Sequence, residues 1–194
     1  MRLFSLFLVA GVLSAQSFTF GVKGGVRLTD DLEPGAAVSE SKRYVVGPMA
    51  TAKLPLGFRL EFDALYRHVG DRTAFGTIHF FVSERERGNS WEFPMVVRRM
   101  LWHGVYAGGG YAPRVINGGG HAISSSVFPV SYSESDVTAS WQTTHGVIAE
   151  AGVERRAGPL RIAPEVRYTY WNQPASPTFG STQHQVDLLV GITF

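Results

Sequence analysis

Residues 18–194 predict an all-β chain, an eight-stranded antiparallel up-and-down barrel of the membrane-spanning kind. Three observations predict it. Apolar and polar residues alternate with period two in repeated segments, the pattern of a strand with two unlike faces. The charged residues in the middle of those segments share one phase. Short and long connections alternate along the chain, starting and ending on a strand, as an up-and-down barrel with both termini on one side requires.

Each strand is read from its own alternation. In the first, Phe18, Phe20, Val22, Val26 and Leu28 interleave with Thr19, Gly21, Lys23, Gly25 and Arg27. In the third, Phe58, Leu60, Phe62, Ala64 and Tyr66 interleave with Arg59, Glu61, Asp63 and Arg67. The seventh sets Leu160, Ile162, Val166, Tyr168 and Tyr170 against Arg161, Glu165 and Arg167, and the eighth sets Val186, Leu188, Val190, Ile192 and Phe194 against Asp187 and Thr193. Weaker alternation places the others at 44–54, 90–100, 104–115 and 141–155. Segments of about 10–13 residues are long enough to cross a bilayer when tilted. Tight links fall at 55–57, 101–103 and 156–159. Longer polar stretches, read as extracellular loops, fall at 29–43, 70–89, 116–140 and 172–183.

Ahead of the first strand, Arg2 precedes an apolar run from Leu3 to Leu13, followed by Ser14, Ala15, Gln16 and Ser17. A basic start, a run of about 11 apolar residues and small residues after it describe a secretory signal peptide over 1–17, too short to span a membrane. The barrel domain is then 18–194. The whole chain has 194 residues, 44% of them hydrophobic, and a net charge of +2, which leaves room for one core and argues against a dedicated nucleic-acid binder. Without cysteine there is no disulfide framework, thiolate metal site or thiol nucleophile.

Alternation alone leaves the inward face undecided, because a soluble lipocalin-like barrel has its apolar face inside. The charged phase carries nine basic and seven acidic groups, and only Arg99 and Arg155, both at strand ends, break it. Glycines share that phase, as a narrow interior favours. Arg outnumbers Lys fifteen to three, and its planar fork suits crowded carboxylate partners. The opposite phase carries aromatics near the strand ends, including Phe18, Phe58, Tyr66, Trp91, Tyr111, Trp141, Tyr168 and Tyr170, which read as two interfacial girdles. The charged phase is therefore placed in the lumen.

The last nine residues, Val186 to Phe194, resemble the C-terminal signal strand of bacterial outer-membrane proteins, with a terminal aromatic and apolar alternation before it. The whole of 18–194 is similar in layout to the eight-stranded outer-membrane barrels, such as the transmembrane domain of outer membrane protein A and outer membrane protein X. The resemblance implies residence in the outer membrane, with outer-membrane lipid and lipopolysaccharide as partners, and the four long loops would present the barrel to an extracellular partner. It also implies recognition of Phe194 by the barrel-assembly machinery. No peptidoglycan-binding domain accompanies the barrel, so anchoring to the cell wall is not implied.

Charges in a lumen of low dielectric persist when paired and hydrogen-bonded. Lys23, Arg27, Arg59, Glu61, Asp63, Arg67, Arg98, Glu150, Arg161, Glu165, Arg167 and Asp187 are therefore expected to form a network that plugs the barrel. A narrow gated ion path is the alternative use of the same groups. His68, His145 and His184 fall on the lipid-facing phase at the extracellular ends of their strands, where contact with lipid or lipopolysaccharide is expected. A lipid A deacylase or acyltransferase would need such a histidine beside a serine and a carboxylate. Ser140 and Ser181 are the available serines, and no motif ties either to a histidine. Gly108–Gly110 and Gly118–Gly120 lack the helix and the Lys-Ser/Thr of a phosphate loop. No catalytic residue, metal or cofactor is expected. The Ser-rich 124–140 reads as an exposed loop, or as a hairpin above the membrane that offers an edge for strand addition.

Overall fold

The computed structural model describes residues 18–29, 38–39, 42–77, 80–127, 130–136, 140–173 and 183–194. The signal-peptide segment 1–17, the centres of the loops 29–43 and 172–183, and Ser181 lie outside the described residues.

Thirteen strands follow in order: β1 (Phe18–Arg27), β2 (Val38–Ser39), β3 (Tyr44–Lys53), β4 (Phe58–Asp63), β5 (Leu65–Thr77), β6 (Phe80–Glu92), β7 (Met95–Met100), β8 (Val105–Val127), β9 (Val130–Asp136), β10 (Ser140–Val153), β11 (Arg155–Ala157), β12 (Leu160–Trp171) and β13 (His184–Thr193). They form eight walls, because β4 and β5 are one wall broken at Ala64, and β6 and β7 another broken at Phe93–Pro94. β11 continues the β10 wall beyond Glu154. Neighbouring walls pair antiparallel in the order β1, β3, β4/β5, β6/β7, β8, β10, β12, β13, and β13 pairs back onto β1, which closes the barrel.

The two breaks follow from proline, which has no N–H to give to a ladder. Ala64 lies beside Pro48, and its N–H donates to the Pro48 carbonyl at 3.0 Å without a reciprocal bond. At the second break Pro94 only accepts, from the Asp63 N–H at 3.0 Å, while the Phe93 N–H donates to Pro113 O at 2.9 Å. Pairing continues on both sides of each break, so the barrel stays closed.

The short connections are tight turns at one end of the barrel. Between β7 and β8, His103 (φ 51°) and Gly104 (φ 83°) are both left-handed, and the Val105 N–H returns to Trp102 O at 2.9 Å. Two positive-φ residues match the right-handed twist of the flanking strands.

Alternation decides the two faces. Lys23, Glu61, Glu165, Arg167 and Asp187 are buried inside, while Phe20, Val22, Val166, Leu188 and Val190 are exposed outside. The soluble lipocalin-like alternative, with its apolar face inward, is thereby overturned. The inward glycines have a reason beyond room in the lumen. A Cβ on Gly25 would stand 2.0 Å from the Leu188 carbonyl oxygen, so close approach of neighbouring backbones excludes any side chain there.

The polar stretch 70–89 differs from the loop expected of it, and the described part of 116–140 takes the hairpin form offered as the alternative to a loop. Most of their described residues are strand: β5 and β6 pair as far as Thr77 and Phe80, β8 and β9 pair from His121–Asp136 to Val127–Val130, and β6 pairs with β8 as far as Phe80–Val127. The result is a continuous sheet, in the order β2, β5, β6, β8, β9, that carries the barrel wall past the rim. Hydrophobic alternation stops at the rim because lipid stops there, but backbone pairing does not need it.

Candidate functional site

The inward residues of six walls meet in a layer at mid-barrel. Lys23 Nζ on β1 donates to Asp63 at 3.2 Å and Glu165 at 3.0 Å, and to Glu61. The Arg167 guanidinium on β12 lies 2.9 Å from Asp63, 2.9 Å from Glu150, 3.1 Å from Glu165 and 3.2 Å from Glu61. Arg98 on β7 bonds Glu61, Glu150 and Glu165 together. Tyr106 on β8 donates its hydroxyl to Glu165 at 2.7 Å and lies under the Arg98 guanidinium, 4.5 Å from the ring centre. Three cations and four carboxylates thus share one buried layer. The oxygens of Glu61, Glu150 and Glu165 come within 4.8 Å of one another, a spacing a metal would accept, but the Arg98 guanidinium bonds all three.

A second layer lies toward the end of the barrel away from the short turns. Arg27 bonds Glu92 at 2.9 Å and Asp187 at 3.1 Å. Gln185 donates to Asp187 and accepts from the Trp171 indole N–H at 2.7 Å. Arg114 stacks 3.9 Å over the Trp171 ring and donates to Thr144 at 2.9 Å, with Arg67 buried on the same inward face. Asp187 therefore belongs to this layer and not with Lys23. Below the middle layer, at the short-turn mouth, Arg59 and Arg161 face Glu154; each is about a fifth exposed.

Among the lumen residues, Glu92 and Arg114 stand on the charged phase read from sequence but outside the expected network, and Tyr106, Trp171 and Gln185 are not read as lumen residues. Their phase was the available signal, since all five share the phase of the charges. Aromatic rings on the charged phase are hard to foresee, because an aromatic near a strand end serves equally well in an interfacial girdle.

The three histidines stand on the outer face of the barrel. Each is ten residues along its wall from the short-turn end: His68 from Phe58, His145 from Arg155 and His184 from Phe194. Ten residues rise about 33 Å along a strand, which the usual tilt reduces to about 25 Å, the height of the apolar band of such barrels. The His145 ring hydrogen-bonds Tyr111, the His184 ring Tyr168 at 2.6 Å, and His68 Nδ1 lies 3.3 Å from Asn89 Oδ1. These partners sit on the adjacent wall in every case, a pairing that only register reveals. These partners are tyrosine hydroxyl and asparagine amide groups. Ser140 begins β10, on a different wall level from its own His145. Phe194 is three-quarters exposed beside β1, its N–H donating to Phe20 O at 3.2 Å.

A closed antiparallel barrel with a paired, charged lumen and an apolar exterior edged by Tyr and Trp is an integral outer-membrane β-barrel protein. No protein-family model matches the chain, and no curated protein does. Among solved structures it is similar to the crystal structure of Ail, the attachment invasion locus protein of Yersinia pestis, at 11% identity, covering 92% of this chain and 95% of that one, with a TM-score of 0.36. The structure of Ail in complex with the heparin analogue sucrose octasulfate is similar at 10% identity over the same shares, with a TM-score of 0.33. The class is set by the chain's own geometry.

Proposed function

We propose that this outer-membrane barrel is a surface-interaction protein that engages an extracellular partner through its projecting sheet and keeps its lumen closed. The single observation that carries the reading is the continuation of β5, β6, β8 and β9 beyond the rim as one sheet. Among the described residues β9 pairs only with β8, so its other side is a backbone edge. Such an edge offers N–H and C=O groups to an extended segment of another protein. The Ser-rich composition of 124–140 keeps that edge soluble until a partner arrives. Lipopolysaccharide around the rim, contacted by His68, His145 and His184, and the assembly machinery acting on Phe194 complete the partners of this reading.

The lumen supports a plug over a channel. Its ion pairs join opposite walls, and separating them would leave several charges buried and unpaired.

Cells displaying the protein are expected to adhere to immobilised extracellular-matrix proteins more than cells carrying an empty vector. Proline placed in turn at Ser131 and Tyr132 removes an N–H first from one side of β9 and then from the other. One of the two variants is expected to lose adherence while the barrel stays folded. Adherence equal to the vector control, or unchanged in both variants, would reject the surface reading.

A further inference from the structure

At the short-turn mouth three neighbouring walls place cations directly opposite one another on the inward face. Lys53 on β3 pairs with Arg59 on β4, and Arg59 pairs with Arg98 on β7. Like charges in opposed positions repel, so this register is unfavourable unless opposite charge is supplied from elsewhere. Arg98 receives it from above, because its guanidinium is turned into the middle layer and bonded to Glu61, Glu150 and Glu165. Arg59 does not reach that layer. Its carboxylate partner is Glu154, from the opposite side of the lumen.

Glu154 is shared. Arg161 Nη1 lies 3.7 Å from its second oxygen, too long for a hydrogen bond. Two guanidiniums thus divide one carboxylate, with Lys53 at the lip adding a third positive charge. Arg59, Arg161 and Glu154 line a small, largely enclosed cavity together with Arg98, Thr51 and Thr193; the two threonine hydroxyls are hydrogen-bond donors of the kind that complete an oxyanion's shell. Arg59, Arg161 and Glu154 are each about a fifth exposed, so the cavity communicates with water on the periplasmic side.

We propose that the periplasmic mouth of the barrel is a binding site for a small oxyanion of the phosphate class, held between Arg59 and Arg161. Guanidinium forks match tetrahedral oxyanions, and a dianion neutralises the charge that Glu154 leaves uncompensated. Glu154 competes with the anion for both arginines. The site lies at the opposite end of the barrel from the projecting sheet, so it stands or falls apart from the surface reading.

The test uses the full chain, folded in detergent micelles at low ionic strength, with inorganic phosphate as the probe and calorimetry as the readout. Saturable binding of one phosphate per barrel is expected, weaker for acetate. The double variant Arg59→Gln/Arg161→Gln is expected to bind about tenfold more weakly or worse, the loss of charge-assisted bonds. Glu154→Gln is expected to bind more tightly than the parent chain, an effect that a merely structural Glu154 would not produce. A second measurement needs no variant: titrated phosphate should shift the amide resonances of Thr51 and Thr193 and leave those of Tyr44 and Gln185 at the other end unmoved. The proposal is overturned by absence of saturable binding to the parent chain, by equal affinity in the double variant, by weaker or unchanged affinity in Glu154→Gln, or by shifts spread evenly over both mouths.

Discussion

The guanidinium of Arg167 lies 2.9 Å from the carboxylate of Asp63, across the full width of the barrel. β12 and β4 are diametrically opposed walls that share no ladder hydrogen bond, so this contact ties together parts of the sheet that backbone pairing leaves independent. Lys23 does the same between β1 and the carboxylates of β4 and β12.

Breaking that cross-brace on one side leaves buried carboxylates uncompensated. Arg167→Leu is expected to destabilise the barrel by about 3–5 kcal/mol. Adding Asp63→Asn to it should restore part of the loss, since one of the stranded charges is then removed. Urea unfolding in lipid vesicles, followed by tryptophan emission, measures both.

In the proposed reading the middle layer also closes the lumen. In planar bilayers the parent chain is expected to show no stepwise conductance. Arg98→Ala combined with Arg167→Ala removes the two side chains that span most of the cross-section, and discrete openings are expected from it. A parent chain that conducts steadily would refute the plug.

Adjacent glycines on β1 should respond oppositely to the same change. Gly25→Ala would press a methyl group to 2.0 Å from the Leu188 carbonyl, whereas at Gly24 the nearest atom, Val45 O, is 3.4 Å away. Gly25→Ala is expected to lose the heat-modifiable migration of a closed barrel on gels, and Gly24→Ala to keep it.

On the outer face the cost of a charge depends on depth. Val166→Arg, in the middle of the apolar band, is expected to cost about 2–4 kcal/mol, and Leu28→Arg near the extracellular rim about 0–1 kcal/mol. Equal costs at the two positions, measured by folding into vesicles, would contradict the placement of the band.

The walls of the barrel were legible because lipid on one side and a packed lumen on the other force strict alternation, as in Leu160–Trp171. The projecting sheet was legible only in part: the Ser-rich segment admitted the hairpin that β8 and β9 form, while the pairing of β5 with β6 past Gly70 has no two-faced pattern to announce it. Within the lumen, phase was enough to place Lys23, Glu61 and Arg167 inside. Which of them meet was not readable, because Asp187 and Lys23 differ in height through the stagger of β13 against β1, and stagger leaves no mark on composition. The Tyr–His pairs at the rim were hidden for the same reason.

The central claim is that the charged phase fills the lumen and the apolar phase faces lipid. The chain has no cysteine, so single cysteines carrying a nitroxide label can be placed along β12 without background. Labels at Pro164, Val166 and Tyr168 are expected to collide freely with oxygen dissolved in the bilayer, and labels at Ala163 and Thr169 to be shielded from it. The opposite phase of accessibility, or none, would contradict the account.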